Sequence, residues 1–166
     1  ALGGLYGITT VALRIFNAYG QGQRVPPVHA PVIPHFVRSL MSGASLVVHG
    51  DGSQTRDFVY IDDVVDALIA AADADNVDRT VINVGSGEET SLEALVNSLA
   101  VLTDRRPDVI HNQQLGGGLT RLTADLSLAR RLLGYKPRVG LREGLSRLVE
   151  EEIKLASQRS GARQRN

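Results

Sequence analysis

The chain has 166 residues, 43% of them apolar and 22% charged, which is enough for a folded core and too apolar for a disordered segment. Eighteen basic and eighteen acidic side chains cancel, so no net field draws it to nucleic acid or an anionic membrane, and an anionic ligand must be met by local geometry. Cysteine is absent, which excludes disulfides, thiol catalysis and thiolate metal sites, and no apolar run approaches the roughly eighteen residues of a membrane span; the cytoplasm is the simplest location.

Residues 1–9 (ALGGLYGIT) read as the tail of a helix leading into a strand with no start signal ahead of it, so further strands and helices are expected before Ala1. Thr10–Phe16 (TVALRIF) is a strongly apolar run, the pattern of a strand buried on both faces of a parallel sheet. Asn17–Pro34 reads as a long Pro- and Gly-rich loop whose first residue, Asn17, lies at a strand's carboxyl edge, where open α/β sheets bind ligands. A helix follows, with Val32, Ile33, Phe36, Val37, Leu40 and Met41 on one face and Gly43 closing it. Leu46–His49 is a short strand.

Gly50–Val64 (GDGSQTRDFVYIDDV) combines a turn at 50–53, a strand over Asp57–Ile61 and a helix start with Asp62 or Asp63 as cap. Arg56 stands where the turn becomes the strand. Its planar guanidinium suits phosphate or carboxylate oxygens, and a surface pair with Asp51 or Asp57 is the competing reading. A helix over 63–72 and a strand at Thr80–Val84 complete a strand, helix, strand unit. The Gly85-Ser86-Gly87 turn fits neither a dinucleotide motif nor a P-loop, and Glu88 and Glu89 would repel an anion, which favours a structural role. Thr90 and Glu93 have capping-box spacing, Asp108–His111 is a short strand, and Gly116–Gly118 is a loop. Asp125 caps a helix ending at Gly134, and the last helix runs from Leu141 to Ala156. Glu150–Glu152 read as its solvated face, and residues 158–166 as a polar tail.

The histidines at 29, 35, 49 and 111 lack metal-ligand spacing, so no metal site is expected. No G-x-S-x-G elbow occurs, and none of Tyr6, Tyr19, Tyr60 and Tyr135 has a lysine four residues later to lower its pKa. Asp62/Asp63 and Glu88/Glu89 sit at helix starts, where capping and the helix dipole account for them. The residues offer binding groups without a catalytic engine.

Five blocks in order, LRIFNAYGQGQ, VIPHFVRSLMSG, GDGSQTRDFVYIDDVVDAL, VINVGSGEETSLEAL and ADLSLARRLLGYKPRVGLREGL, resemble the C-terminal half of an extended short-chain dehydrogenase/reductase of the NAD-dependent nucleotide-sugar epimerase/dehydratase family. The resemblance implies an α/β fold: the C-terminal portion of a Rossmann-like parallel sheet plus a small α/β substrate-binding subdomain, interleaved over residues 1–157. It also implies that the dinucleotide glycines and the catalytic Tyr-x-x-x-Lys lie upstream of Ala1, so that no catalytic residue is expected in this chain and the chain by itself is expected to be inactive and to bind no cofactor. The longer protein would use NAD or NADP, act as an epimerase of the UDP-glucose 4-epimerase kind or as a dehydratase, and form a homodimer. By the same resemblance Asn17 would bind the diphosphate or sugar of a nucleoside diphosphate sugar, Arg56 the diphosphate, and His49 the base by stacking, with Val47 offering backbone contacts. Phe16 and Ala18 would approach the nicotinamide. The family's Arg-x-Gly-Asp is replaced by Leu115–Gly118, leaving Arg121 or Gln114 to substitute for its second phosphate arginine. A non-catalytic sugar-nucleotide binding or interaction module is the alternative.

Overall fold

A computed structural model describes residues 2–26, 28, 30–113 and 119–163. His29, Gln114, the Leu115–Gly118 stretch and the end of the polar tail lie outside the described residues. The elements are α1 (Leu2–Tyr6), β1 (Val11–Ile15), β2 (Asn17–Tyr19), α2 (Val32–Ser42), β3 (Leu46–His49), β4 (Thr55–Arg56) and β5 (Phe58–Tyr60). Then come α3 (Ile61–Asp73), β6 (Thr80–Val84), β7 (Thr90–Ser91), α4 (Leu92–Thr103), β8 (Val109–Asn112), α5 (Ser127–Leu133) and α6 (Leu141–Arg163). Three strand pairs are parallel, β1 with β6, β2 with β5 and β3 with β8, and β4 with β7 is antiparallel. This is the α/β class expected, with helices supplying the crossovers that parallel pairing requires.

Two cores follow from the apolar periodicities. Phe36, Leu40, Leu95, Leu99 and Leu145 of α2, α4 and α6 close over Leu46 and Val48 of β3. Val64 and Ala67 of α3 and Ala129 of α5 close over Ile82 and Val84 of β6, with Val11 and Leu13 of β1 packed at their edge. Within the described residues β1 is covered on one of the two faces that its apolar run suggests. Ala12 is exposed and pairs in register with Val81, which is 51% exposed, whereas Val11, Leu13 and Ile82 belong to the core that α3 and α5 cover.

Several local expectations shift by a residue or a partner. Asn17 belongs to β2, hydrogen-bonded to β5, and is not the start of a loop. The strand expected over Asp57–Ile61 is shorter, Phe58–Tyr60: Asp57 sits at the break after β4, which holds Arg56, and Ile61 already opens α3. The cap of α4 is Ser91, whose Oγ accepts from Ala94 N at 3.0 Å, with Thr90 one residue earlier in β7. Neither Asp62 nor Asp63 caps α3. Asp63 is buried and accepts from Arg138 N and Val139 N at 2.8 and 3.1 Å, while Asp62 pairs with Arg147. Asp125 does not directly precede the helix; Leu126 is the N-cap of α5, and Asp125 accepts from the amide and hydroxyl of Ser127. Nor is the acidic run of α6 simply solvated, since Glu152 pairs with Arg38 and Glu151 accepts from Gly22 N. The helix continues to Arg163, past the expected Ala156.

Two buried phenols tie the layers together. Tyr19 donates to Leu141 O at 3.3 Å and Tyr135 to Gly85 O at 2.8 Å. Burial pushes both hydroxyls well above the usual tyrosine range, helped for Tyr19 by Tyr60 and Asp63, and for Tyr135 by Asp63 and Asp57. A raised folded-state pKa means the stabilisation is complete below the unfolded value of about 10 and is lost as pH rises through the folded value. Urea midpoints are therefore expected to fall as pH climbs above about 10, and Tyr135→Phe to flatten that slope by up to one proton's worth, about 1.4 kcal/mol per pH unit. An unchanged slope in the variant would show that Tyr135 does not carry this dependence.

Candidate functional site

β3 alternates inward and outward, with Leu46 and Val48 buried and Val47 and His49 exposed, as a half-covered strand must. His49 is followed by a tight turn in which Gly50 and Gly52 have φ of 75° and 85°, the left-handed region that glycine enters at little cost. Asp51 Oδ1 accepts from Ser53 N at 2.9 Å and Ser53 Oγ at 2.6 Å, and these bonds hold its carboxyl below the usual range. Gln54 Nε2 closes the loop on His49 O at 2.6 Å. The turn is thus built before any ligand arrives, and it delivers the chain to Arg56 in β4.

Arg56 pairs with neither Asp51 nor Asp57. Its Nη1 donates to Thr55 O at 2.7 Å and to Leu119 O at 2.9 Å. Those bonds occupy one nitrogen of a five-donor group and anchor the guanidinium to backbone, so that its other nitrogens keep a defined direction.

A cavity of about 740 Å³ is lined by Asn17, Val47, His49 and Arg56 together. Four of the five residues expected to bind substrate therefore share one wall, although they come from β2, β3 and β4. The fifth, Arg121, is not on that lining; its guanidinium is ion-paired with Glu89, which also accepts from Thr55 Oγ1. Phe16 and Ala18 lie apart from the cavity as well. Phe16 packs at the edge of the second core, and Ala18 lines a separate hollow of about 210 Å³ with Gly20–Gln23 and Ile61.

Several further groups line the cavity without a local sign of it in the sequence. Phe36 and Leu92 were assignable only to helix faces, yet they also form apolar wall, and Gln54, Gln113 and Thr120 add polar edges. Pro31, the N-cap of α2, and Val32, its first residue, also line the cavity, so this helix begins at the site. Among the described residues no cluster of three or more His, Asp or Glu is placed to hold a metal ion, and no helix is long and apolar enough to cross a membrane.

A dinucleotide needs backbone N–H groups free to meet its phosphates. The Gly85–Gly87 turn does not provide them, because Ser86 N and Gly87 N donate to the Asp57 carboxylate at 2.6 and 2.9 Å. The described residues therefore do not fit a dinucleotide phosphate at that turn.

Parallel strand pairs joined by helical crossovers, with a cavity beside β2 and β3, define the class by fold: a Rossmann-like α/β protein. The chain belongs to the NAD dependent epimerase/dehydratase family, whose model matches residues 1–85. It is 37% identical over 145 residues to a putative UDP-glucose 4-epimerase of Methanocaldococcus jannaschii, covering 87% of this chain and 46% of that protein. An epimerase of Methanothermobacter thermautotrophicus superposes with a TM-score of 0.87 at 33% identity, over 95% of this chain and 47% of the other. The UDP-glucuronic acid 4-epimerase of Bacillus cereus, solved with UDP-glucuronic acid and NAD, gives a TM-score of 0.83 at 30% identity over 92% and 48% of the two chains. The chain thus spans about half the length of the relatives it matches.

Proposed function

We propose that the cavity binds a nucleoside diphosphate sugar and that the chain is the substrate-binding part of a nucleotide-sugar epimerase or dehydratase. The observation that carries this reading is the convergence of Asn17, His49 and Arg56 on one cavity of about 740 Å³, a volume within the roughly 300–1,000 Å³ of small-molecule sites. The His49 ring is a stacking surface for the base, and Val47 beside it offers backbone contacts. The Arg56 fork meets the diphosphate, and the Asn17 amide meets the diphosphate or sugar. Arg121 joins them only by leaving Glu89. The UDP sugar of the Bacillus cereus complex supports a uridine nucleotide as the first ligand to test.

Redox chemistry in this family belongs to NAD, and Phe16 and Ala18 remain the residues proposed to border its nicotinamide. The sequence contains no Tyr-x-x-x-Lys, so turnover is assigned to residues other than these 166, and the chain alone is proposed to bind sugar nucleotide without converting it. Supplying NAD and a panel of UDP sugars should give no product; measurable turnover would overturn the assignment. Calorimetric titration with UDP, TDP and GDP sugars should give saturable binding to at least one, weakened about tenfold by His49→Ala through loss of base stacking. Absence of binding to all three would defeat the reading. A non-catalytic binding module would bind equally well, and is separated from the enzyme reading by whether the gene encodes the catalytic Tyr and Lys.

A further inference from the structure

Asp57 is completely buried at the break between β4 and β5, and four donors converge on its carboxylate. Oδ1 accepts from Ser86 N at 2.6 Å and Ser86 Oγ at 2.7 Å, and Oδ2 accepts from Gly87 N at 2.9 Å and Ala124 N at 3.0 Å. Its backbone carbonyl accepts from Asn17 N at 3.1 Å. The surroundings are tight: a Cβ added at Gly85 would lie 2.7 Å from both Asp57 Oδ2 and the Ala124 methyl.

These bonds reach the segments that hold Arg56. Ala124 ends the stretch in which Thr120 O accepts from Thr55 N at 2.9 Å and Leu119 O accepts from the Arg56 guanidinium. The 85–87 turn leads into β7, where Thr90 pairs in register with Arg56. Asn17, at the other end of the cavity wall, hangs on the Asp57 carbonyl. Only an acceptor without hydrogens satisfies four converging donors, which an ionised carboxylate does and an amide does not. A buried charge of this kind is costly unless fully hydrogen-bonded, and a stretch of apolar core in its place would leave the donors of Ser86, Gly87 and Ala124 unmet.

We infer that Asp57 is the positioning residue of the binding site: its buried carboxylate locks the 85–87 turn and the 119–124 segment so that Arg56 is aimed into the cavity. The inference rests on the nucleotide-binding reading above. It acts through Arg56, and a double-mutant cycle isolates that coupling.

The test uses the full chain, with UDP as the calorimetric probe and urea unfolding measured in parallel. Asp57→Asn should weaken UDP binding about tenfold when Arg56 is present, and leave the residual affinity unchanged in the Arg56→Ala background. The loss of stability should be the same in both backgrounds. Ser86→Ala, which removes one donor and keeps the fold if Asp57→Asn does not, should weaken binding about threefold with the same dependence on Arg56. Asp63→Asn disturbs a buried carboxylate that serves Arg138 N and Val139 N away from the cavity; it should lower stability without moving UDP affinity. Unchanged affinity in Ser86→Ala, or an equal loss with and without Arg56, overturns the positioning role. A wild-type chain that does not bind UDP, or binds it no better than Arg56→Ala, leaves Asp57 no Arg56 contact to position and overturns this inference, while the nucleotide reading of the cavity falls only if TDP and GDP sugars fail to bind as well.

Discussion

Gly144→Ala is expected to destabilise the folded chain by about 2–3 kcal/mol, although in an isolated helix the same change would gain up to about 1 kcal/mol. Gly144 closes the first turn of α6, where two tyrosines press against the helix. An added Cβ would overlap the Tyr19 hydroxyl and sit 2.8 Å from both Tyr19 Cζ and Tyr60 Cδ2. Neither ring has room to retreat: Tyr19 and Tyr60 are each 2% exposed, lie edge to face at 5.4 Å, and Tyr19 also packs on Phe58. The Tyr19 bond to Leu141 O would be displaced with the ring. Overpacking of a rigid core thus outweighs the helix-propensity gain, and the midpoint temperature should fall by roughly 4–10 °C. Gly140→Ala is the matched control, because a Cβ there meets nothing within 4 Å and its φ is not in the left-handed region; it should stay within about 0.5 kcal/mol of the parent. Urea denaturation of the two variants checks the pair, and a Gly144→Ala protein as stable as the parent would show that the tyrosines can move.

Arg56→Ala is expected to weaken UDP binding by roughly 10- to 100-fold, the worth of one or two charge-assisted hydrogen bonds at about 1.5–3 kcal/mol. Arg56→Lys should recover only part of this, since an ammonium restores the charge but not the fork. It would also lose the paired bonds to Thr55 O and Leu119 O that set the guanidinium's direction. Competition with neighbouring carboxylates does not blunt the effect, because Asp51 is occupied by Ser53 and the buried Asp57 by the 85–87 turn and Ala124. Calorimetry at fixed ionic strength measures both variants, and the loss should shrink at higher salt if the contact is with phosphate. A dissociation constant unchanged in Arg56→Ala would remove the diphosphate from this end of the cavity.

The opposite fates of Arg56 and Arg121 show how far residue types carry. Both are arginines near the same turn-rich stretch, and chemistry alone makes either a phosphate ligand. Glu89 captures Arg121, whereas Arg56 is held by main-chain carbonyls beside the cavity. The two candidates were separable only through partners 32 and 63 residues away.

Local chemistry in the order of residues was enough for most elements. The apolar face of α2 and its left-handed stop at Gly43, the β3 strand, β6 and the stop of α5 at Gly134 all follow from signals a few residues long. The same holds for the structural reading of the Gly85–Gly87 turn, whose amides turn out to serve Asp57. What depends on distant segments was decided by the fold. Asn17 became a strand residue because β5 passes beside it, and Asp62 and Asp63 left their capping role for Arg147 and for the backbone of Arg138 and Val139. β1 carries an apolar sequence and yet one open face, since burial is a property of what packs above a strand and not of the strand itself. Asp57 is the clearest case: an acidic residue that looked like a surface partner for Arg56 is buried by donors 29, 30 and 67 residues away. Propensity and capping act over one or two turns of chain, while the hydrogen-bond partners that aim a binding residue are brought together only when the sheet and its crossovers close.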